Sequence, residues 1–331
     1  MKICFLDNTK FKYNLNDKYN PLLRGAETIL INLSKSISSL NHQVFVFNNC
    51  SEGINMNNYS WNNINFLKNK NFFFDVVVAN SDANLLNLVN AQKKIVLSYS
   101  LQPIEKFIRK KQLLPYIKHR PKIFLLGEYH KEKRSFLTSL FGTEIFSPGI
   151  DDIFLKSAIK FPNHSNQAIF TSRSDRNLNI LLEIWSNYIF PKSVNYKLLI
   201  TPNNEDKKIL EKKNIFFRNM GMQSNLVIDL LSSKMMLVPG HKAELFCLAA
   251  EEARELCIPI VTLGIGSLKE RVEHGKTGFI AKNYSEFAAY TLNLFQQGDL
   301  YNNIVKNLLE LRGSKSWLNA TKNFLNLIKK I

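Results

Sequence analysis

Four glutamates crowd a short segment whose other residues are mostly apolar: HKAELFCLAAEEARELCIPIV, residues 241–261. The segment lies between two strand-like runs, KMMLVPG and IPIVTLG, so we expect a loop, a helix from about 245–247 to Leu256, and a strand. In that arrangement Glu244 precedes the helix, and the free N–H groups of Phe246, Cys247 and Leu248 lie at the carboxyl end of a strand. Helix N-termini at such places bind phosphates. The loop and helix start at 244–248, here called the corner, therefore predict a diphosphate ligand.

The helical positions of the glutamates differ. The apolar residues of the predicted helix, among them Leu248 and Leu256, span an arc of about 140°. Glu252 falls inside that arc, whereas Glu251 and Glu255 fall outside it. We therefore expect Glu252 to have a specific partner and Glu251 and Glu255 to face solvent. From periodicity alone, an interpretation in which all four glutamates are ordinary surface charges stays open.

The elements that must position this corner alternate between strands and helices along the chain. KICFLD, a helix with apolar residues at helical spacing and QVFVFN form one βαβ unit, and the alternation begins again after the polar residues 161–167. Such alternation predicts parallel sheets covered by helices. We expect an α/β protein with two doubly wound domains, at 1–155 and 156–315, followed by a C-terminal helix at 316–331.

Composition and charge restrict the class of protein. The chain has 331 residues, of which 45% are hydrophobic, and its formal net charge is +17. Its four cysteines have no metal-ligand spacing, so we expect reduced thiols in a cytosolic protein. No apolar run approaches the length of a signal-peptide core or of a membrane span, about 18 residues, so neither secretion by that route nor membrane insertion is expected.

A basic segment stands out in the first half, QPIEKFIRKKQLLPYIKHRPK, residues 102–122. It interleaves apolar residues with cations, which is typical of surfaces that dock on anionic lipid. An ordinary solvated basic face over a core stripe fits the pattern equally well. No helix-turn-helix, zinc or RNA-binding signature accompanies the charge, so nucleic acid is not an expected partner. The predicted membrane or acceptor surface comprises Lys106, Arg109, Lys110, Lys111, Lys118 and Arg120.

The corner also resembles a known signature. Glu244 and Glu252 are separated by seven residues, and ELFCLAAEEARELCIPIV resembles the E-x7-E motif of retaining GT-B glycosyltransferases, family 4 type, the glycosyl transferases group 1. Four further segments resemble other motifs of that family in the same order: residues 23–47, 147–151, 172–185 and 262–281. The resemblance covers nearly the whole chain. It implies two facing Rossmann-like domains with a cleft between them, and a final helix that carries Trp317 back to the first domain.

The resemblance also implies a role for each site residue. Glu244 would contact the donor sugar beside the reacting carbon, and Glu252 would accept hydrogen bonds from the ribose. Arg176 and Arg173 would bind the diphosphate, with backbone donors at Gly25 and at 246–248. No metal and no cofactor is implied, only a nucleotide-diphosphate sugar as donor. The implied reaction transfers the sugar with retention to a cell-surface glycan or lipid-linked saccharide, in polysaccharide biosynthesis at the inner face of the cytoplasmic membrane.

The chain departs from the family pattern at several positions. Leu245, Cys247 and Cys257 replace glycines of the family, and Arg24-Gly25 replaces a glycine pair. Ser98, Tyr99 and Ser100 occupy the place where many members have a histidine, and we expect His119 and His130 at the surface. Two alternatives therefore stay open: a non-catalytic nucleotide-sugar-binding GT-B protein, and another GT-B enzyme such as a nucleotide-sugar epimerase.

Overall fold

The structure is a computed structural model that describes residues 1–68, 70–159, 161, 163–201, 213–219 and 221–331. The chain forms two compact units. The first comprises Met1–Gly149 with Trp317–Ile331, and the second comprises Ile150–Ser316. The boundaries expected from the sequence, after 155 and after 315, lie six residues after the first of these limits and one residue before the second.

The first unit contains an eight-stranded sheet in its described residues, with the strand order β3-β4-β2-β1-β5-β6-β7-β8. The hairpin β3–β4 is antiparallel, and the other pairs are parallel. The strands are β1 Lys2–Leu6, β2 Gln43–Asn48, β3 Ile54–Met56, β4 Tyr59–Asn63, β5 Phe73–Asn80, β6 Asn90–Leu97, β7 Lys122–Leu125 and β8 Thr143–Ile145. The helices are Gly25–Ser39, Ile104–Arg109, Leu113–His119, Glu128–Lys133, Phe136–Ser139 and Trp317–Lys330, with 3-10 turns at Leu15–Tyr19, Ile64–Leu67 and Ala83–Asn87.

The C-terminal helix Trp317–Lys330 packs within the first unit. Phe324 is fully buried, and its ring lies 5.4 Å from that of Phe124 and 5.1 Å from that of Phe146, centroid to centroid. A Cβ at Gly149 would come within 2.6 Å of the Cα atom of Trp317, so only glycine allows the helix to start so close to this backbone. The prediction that the final helix returns to the first domain is confirmed.

The second unit contains a six-stranded parallel sheet in its described residues, with the strand order β11-β10-β9-β12-β13-β14. Its strands are β9 Gln167–Phe170, β10 Lys197–Ile200, β11 Ile215–Phe217, β12 Met235–Leu237, β13 Ile260–Thr262 and β14 Gly278–Ile280. Its helices are Asp152–Lys156, Leu178–Ile184, Gln223–Leu231, Leu248–Glu255, Tyr284–Gln296 and Gly298–Leu311. Leu178–Ile184 continues as a π-helical turn, Trp185–Ile189, and 3-10 turns lie at Phe190–Lys192 and Gly266–Glu270. The prediction of two doubly wound α/β domains is confirmed.

The strand order of the second sheet determines where its loops meet. From β9 the chain moves to β10 and β11 on one side, and it then returns to β12, β13 and β14 on the other. β9 and β12 are therefore neighbours at the point where the strand order reverses. In doubly wound sheets the loops that follow two such strands line the ligand-binding crevice. Here they contain residues 171–177 and 238–247.

In the part of the chain that the structure describes, none of the helices combines the length and the apolar character that crossing a bilayer requires.

Candidate active site

An arginine and a glutamate meet where the two loops at the switch point converge. Arg176 follows β9 and Glu244 follows β12, and the Nε atom of Arg176 lies 3.0 Å from the Oε2 atom of Glu244. Both side chains are about four-fifths buried, with 18% and 20% of their surface exposed. Burial raises the pKa of Glu244, and the ion pair with Arg176 opposes that rise. The structure therefore brings together the two residues that the sequence predicted as catalytic.

A carboxylate that the sequence did not predict joins the two arginines. Asp175 Oδ2 lies 2.6 Å from Arg173 Nη2 and 3.2 Å from Arg176 Nη1. Arg173 is 65% exposed, so this contact does not remove its guanidinium from solvent. Asp175 stands between the two arginines in the sequence. Its ion pairs with them were not predictable, because residues in a loop have no periodicity that indicates which side chains meet.

Two glycine-bearing loops hold the backbone of Glu244. Its N–H donates to His241 O at 2.9 Å, and its carbonyl accepts from Ser267 N at 3.0 Å. Gly266 has a φ of +74°, and a Cβ there would lie 2.2 Å from His241 O. On the other loop Gly240 has a φ of +93° and accepts a hydrogen bond from the side chain of Asn177. Side chains at these glycines would push the loops apart, so Glu244 depends on both of them.

The corner beside Glu244 differs in detail from the expectation. The helix begins at Leu248, so Phe246 lies outside it and Cys247 is its N-cap, with φ +59° and ψ +76°. The N–H of Ala250 donates to Cys247 O at 3.2 Å. Of the three predicted N–H groups, only that of Leu248 therefore belongs to the helix. The side chains of Leu245, Phe246 and Cys247 are buried, which directs their bulk into the unit.

Backbone geometry accounts for the glycines that the family pattern has at two positions where this chain has cysteine. Cys247 and Cys257, which stand where the family has glycine, both have left-handed φ values, +59° and +56°. Cys257 follows the end of the same helix and donates to Arg254 O at 2.9 Å, while Ile258 donates to Ala253 O at 2.9 Å. This is the hydrogen-bonding pattern of a Schellman C-cap, which favours glycine. The glycines of the pattern thus serve the backbone, and this chain tolerates cysteine there.

Among the four glutamates of residues 241–261, Glu252 differs from the other three in its surroundings. No hydrogen bond or ion pair to its carboxylate occurs in the described part of the chain, and its side chain is half-buried. Burial, together with the nearby carboxylate of Asp151, raises its pKa to about 7. Asp151 itself caps the helix Asp152–Lys156 by accepting from Ile153 N at 3.1 Å. A carboxylate held out of water with free lone pairs is suited to hydroxyl donors.

The expectation that Glu251 and Glu255 face solvent is wrong. Both are buried, at 1% and 0% exposure. Glu251 pairs with Arg271 Nη1 at 2.8 Å and with Arg254 Nη2 at 3.0 Å. Glu255 pairs with Arg254 Nη2 at 2.9 Å and accepts from Gly313 N at 2.8 Å. Elements distant in sequence cover this side of the helix, which the helical arc could not indicate.

Arg271 also links this ion-pair network to the corner. Its guanidinium carbon lies 4.4 Å from the ring centroid of Phe246, within the range of cation–π attraction. The same guanidinium contacts Glu270 at 3.3 Å. Arg271 thus ties Phe246, two residues before the helix, to Glu251 in the first turn of that helix. Arg271 was not predicted from the sequence.

The remaining predicted residues lie in the first unit. Gly25 is exposed and begins the helix Gly25–Ser39. His130 is fully buried, so its expected surface position is wrong; its Nδ1 accepts from Leu126 N at 3.3 Å and its Nε2 lies 3.1 Å from Ser100 O. Burial lowers the pKa of His130 to about 4, and burial together with Lys94 lowers that of half-buried His119 to about 4.

Among the described residues, no group of three or more His, Cys, Asp or Glu side chains has an arrangement that could hold a metal ion.

Comparisons with known proteins agree with this architecture. Residues 201–310 match the family model of the glycosyl transferases group 1. No curated protein sequence matches the chain. Among solved structures, sucrose-phosphate synthase from Thermosynechococcus elongatus superposes with a TM-score of 0.74 at 12% identity, covering 99% of this chain and 98% of that one. A glycosyltransferase from Rickettsia africae gives 0.72 at 14% identity, with 99% and 98% covered.

A third structure was solved with ligands bound. HepE from Anabaena, in complex with UDP and glucose, has a TM-score of 0.70 at 12% identity, and both chains are covered completely. At such identities the similarity concerns the fold, and the family match concerns the segment that contains Glu244 and Glu252. The chain therefore has the GT-B fold, and its residues 201–310 match the model of the glycosyl transferases group 1.

Proposed function

We propose that this chain transfers a sugar from a nucleotide-diphosphate sugar to an acceptor, with retention of anomeric configuration. The observation that carries the proposal is the buried contact between Arg176 and Glu244 at the switch point of the second sheet. It lies beside the N-terminus of the helix Leu248–Glu255, within a unit that contains the family segment. These features combine a cation, a carboxylate and backbone donors at one edge of the sheet.

The chemistry of transfer explains why these groups are needed together. Breaking the anomeric C–O bond develops positive charge on the sugar and negative charge on the leaving diphosphate. Arg176 and Arg173 would stabilise the diphosphate, aided by N–H groups of Phe246, Cys247 and Leu248. Glu244 would contact the sugar beside the reacting carbon. With two guanidinium groups available, we propose that the reaction requires no metal ion, so that activity persists in EDTA.

Glu252 completes the proposed donor site. Its unpartnered carboxylate would accept hydrogen bonds from the ribose hydroxyl groups. Gly25, at the start of a helix in the first unit, is proposed as a further backbone donor. The UDP in the HepE structure makes UDP-sugars the first donors to test.

The decisive experiment incubates the protein with a panel of nucleotide sugars and measures release of the nucleoside diphosphate. We expect one donor to be turned over, and we expect Arg176→Ala and Glu244→Gln to lose that turnover while retaining the wild-type circular dichroism. Substitution of Lys282, an exposed lysine of the same unit, by Ala is the control and should leave turnover unchanged. NMR of the product reports the anomeric configuration, and an inverted product contradicts the proposed retention.

A second candidate is a non-catalytic nucleotide-sugar-binding protein. The absence of a histidine at Ser98, Tyr99 and Ser100, and the bulkier residues Leu245 and Cys247 at glycine positions, favour it. That protein would bind a nucleotide sugar in calorimetry without releasing the diphosphate. An epimerase, the remaining alternative, would return a different nucleotide sugar with its diphosphate intact, which chromatography of the same reactions would detect.

The proposals for the acceptor and the place of action rest on the resemblance to the family. We propose a cell-surface glycan or lipid-linked saccharide as acceptor, in polysaccharide biosynthesis on the cytoplasmic side of the membrane. Among the structural neighbours, WaaG is described as a glycosyltransferase involved in lipopolysaccharide biosynthesis. Adding lipid-linked saccharides to the donor assay tests this choice, because transfer should exceed donor hydrolysis only with a genuine acceptor.

A further inference from the structure

Two short helices of the first unit, Ile104–Arg109 and Leu113–His119, are fixed on the domain by their inner sides. Phe107 and Tyr116 are buried there, with ring centroids 5.0 Å apart. The ring of Tyr116 also lies 5.2 Å from that of Phe141, so the segment around the helix Phe136–Ser139 packs beside the pair. Hydrogen bonds from Asn84 to Lys110 O and from Gln112 to Ser81 O anchor the connection between the helices. The sides of the two helices opposite Phe107 and Tyr116 therefore face away from the domain.

Those other sides carry large apolar residues in water. Ile104 and Ile108 are four positions apart on one helix, Leu114 and Ile117 are three apart on the next, and such pairs share a helix face. Phe136 and Leu140 are exposed apolar residues of the third segment, which packs against Tyr116 through Phe141. The six side chains are between 53% and 76% exposed. Single exposed apolar residues are ordinary, but a cluster on adjacent elements indicates an interaction surface.

Cations surround the apolar residues. Five exposed basic residues accompany them, and in the described part of the chain none of the five forms an ion pair with a carboxylate. Glu105 is the sole acidic residue between 104 and 120. Lys106, which the sequence placed on this surface, is instead half-buried and donates to Ser100 Oγ at 2.5 Å. The five are Arg109, Lys110, Lys111, Lys118 and Arg120.

We propose that these six apolar and five basic side chains, here called the basic apolar face, dock this protein on an anionic lipid bilayer. The aliphatic and aromatic groups enter the boundary between headgroups and acyl chains, and the cations contact the lipid phosphates. Nucleic acid would use the cations, since its affinity comes mostly from phosphate contacts, but would leave the apolar side chains in water. An anionic bilayer offers an apolar environment to the apolar side chains and phosphates to the cations.

Sedimentation with vesicles tests the charge requirement. We expect binding to vesicles of phosphatidylcholine with phosphatidylglycerol, no binding to phosphatidylcholine alone, and weakening by salt. Arg109→Ser, Lys110→Ser and Lys111→Ser should each weaken binding about fivefold, because each removes one cation near the surface. Lys282→Ser, on the second unit, is the matched control. Equal binding to both kinds of vesicle, or to neither, overturns the proposal.

Fluorescence tests which side chains enter the lipid. The native tryptophans Trp61, Trp185 and Trp317 are all buried, so a tryptophan placed at an exposed position reports its own surroundings. Brominated lipids should quench Leu114→Trp on anionic vesicles and should not quench Ile228→Trp, a control at a position of the second unit that is 64% exposed. Equal quenching of the two variants contradicts the proposed orientation. Binding to a nucleic acid duplex without binding to vesicles would assign the face to nucleic acid and overturn the proposal.

Discussion

Residues 102–122 and 241–261 both mix charged and apolar residues, yet they pack in opposite ways. In 241–261 the charges of Glu251 and Glu255 lie inside, paired with Arg254 and Arg271. In 102–122 apolar side chains such as Leu114 lie outside. Both segments interleave charged and apolar residues, one mostly basic and the other mostly acidic, so this pattern alone does not decide burial, and the neighbouring elements do. The helix Leu248–Glu255 is covered on several sides, whereas the helices at 104–119 are covered on one.

The largest effect on stability is expected from breaking the buried ion pairs. Glu251→Ala leaves Arg271 without a carboxylate that it contacts at 2.8 Å, and losing one partner of a buried pair typically costs 3–5 kcal/mol, so we expect a fall of about that size in the free energy of unfolding. Urea denaturation measures it. Glu105→Ala, which removes an exposed glutamate of the basic segment, should change stability by less than about 0.5 kcal/mol. Similar values for the two variants would contradict the contrast between the segments.

Measuring both turnover and vesicle binding for a variant in each unit separates the catalytic function from the proposed docking function. Arg176→Ala should lower kcat/KM by about a hundredfold to a thousandfold, because it removes charge stabilisation of the leaving diphosphate, and it should leave vesicle binding intact. Arg109→Ala should weaken vesicle binding and leave turnover of a soluble acceptor intact. Paired kinetic and sedimentation assays measure both. Loss of turnover in Arg109→Ala would mean that the basic segment acts in the reaction.

Donor affinity should depend on pH through Glu252. Its pKa of about 7 means that the carboxylate needed to accept two hydroxyl donors is lost as the pH falls below 7. Calorimetry with a UDP-sugar, whose diphosphate does not titrate in this range, should therefore show weaker binding at pH 6 than at pH 8, by about tenfold. Glu252→Gln should bind weakly and without this pH dependence. An unchanged pH profile in the variant would exclude Glu252 as the titrating group.

Glu252 should also affect the free energy of unfolding, which its titration favours at low pH, whereas donor binding is favoured at high pH. The folded-state pKa of Glu252 lies above the ordinary value of 4.5, so the native state binds the proton more tightly than the unfolded chain does. Its contribution is complete below pH 4.5 and is lost as the pH rises to about 7. His119 and His130, whose pKa values are lowered to about 4, act in the reverse direction as the pH falls from 6.5. Urea denaturation of wild type and Glu252→Gln isolates the glutamate as the difference between the two profiles.

The smallest expected effect concerns the left-handed C-cap. Cys257→Gly and Cys257→Ala both remove the buried thiol, but only glycine adopts a φ of +56° without steric strain. The glycine variant should therefore be more stable than the alanine variant by about 1 kcal/mol in urea denaturation. If the two are equally stable, backbone strain does not explain why the family pattern has glycine there.

Much of the fold followed from periodicity and spacing. The alternation of strands and helices predicted two doubly wound domains, because strands buried on both faces have continuous apolar runs. The hairpin β3–β4 was not predicted. Its sequence is rich in asparagine, and its inward residues, Tyr59 and Trp61, become recognisable only beside β2.

The candidate site was predicted in part. Spacing selected Glu244 and Glu252, and the structure places Glu244 against Arg176. Asp175 and Arg271 were missed, because their roles depend on ion pairs that a linear pattern does not contain.

The sequence by itself determined which residues share a face of each element and in which order the elements follow, since helical and strand periods are local properties of the backbone. Tertiary structure alone decided what covers each face. It buried Glu251, Glu255 and His130 and left Leu114 in water, because burial depends on neighbours that are distant along the chain. Charge and hydropathy describe what a residue favours, and the packing of the surrounding elements decides whether that preference is met by solvent, by a partner side chain or by a ligand.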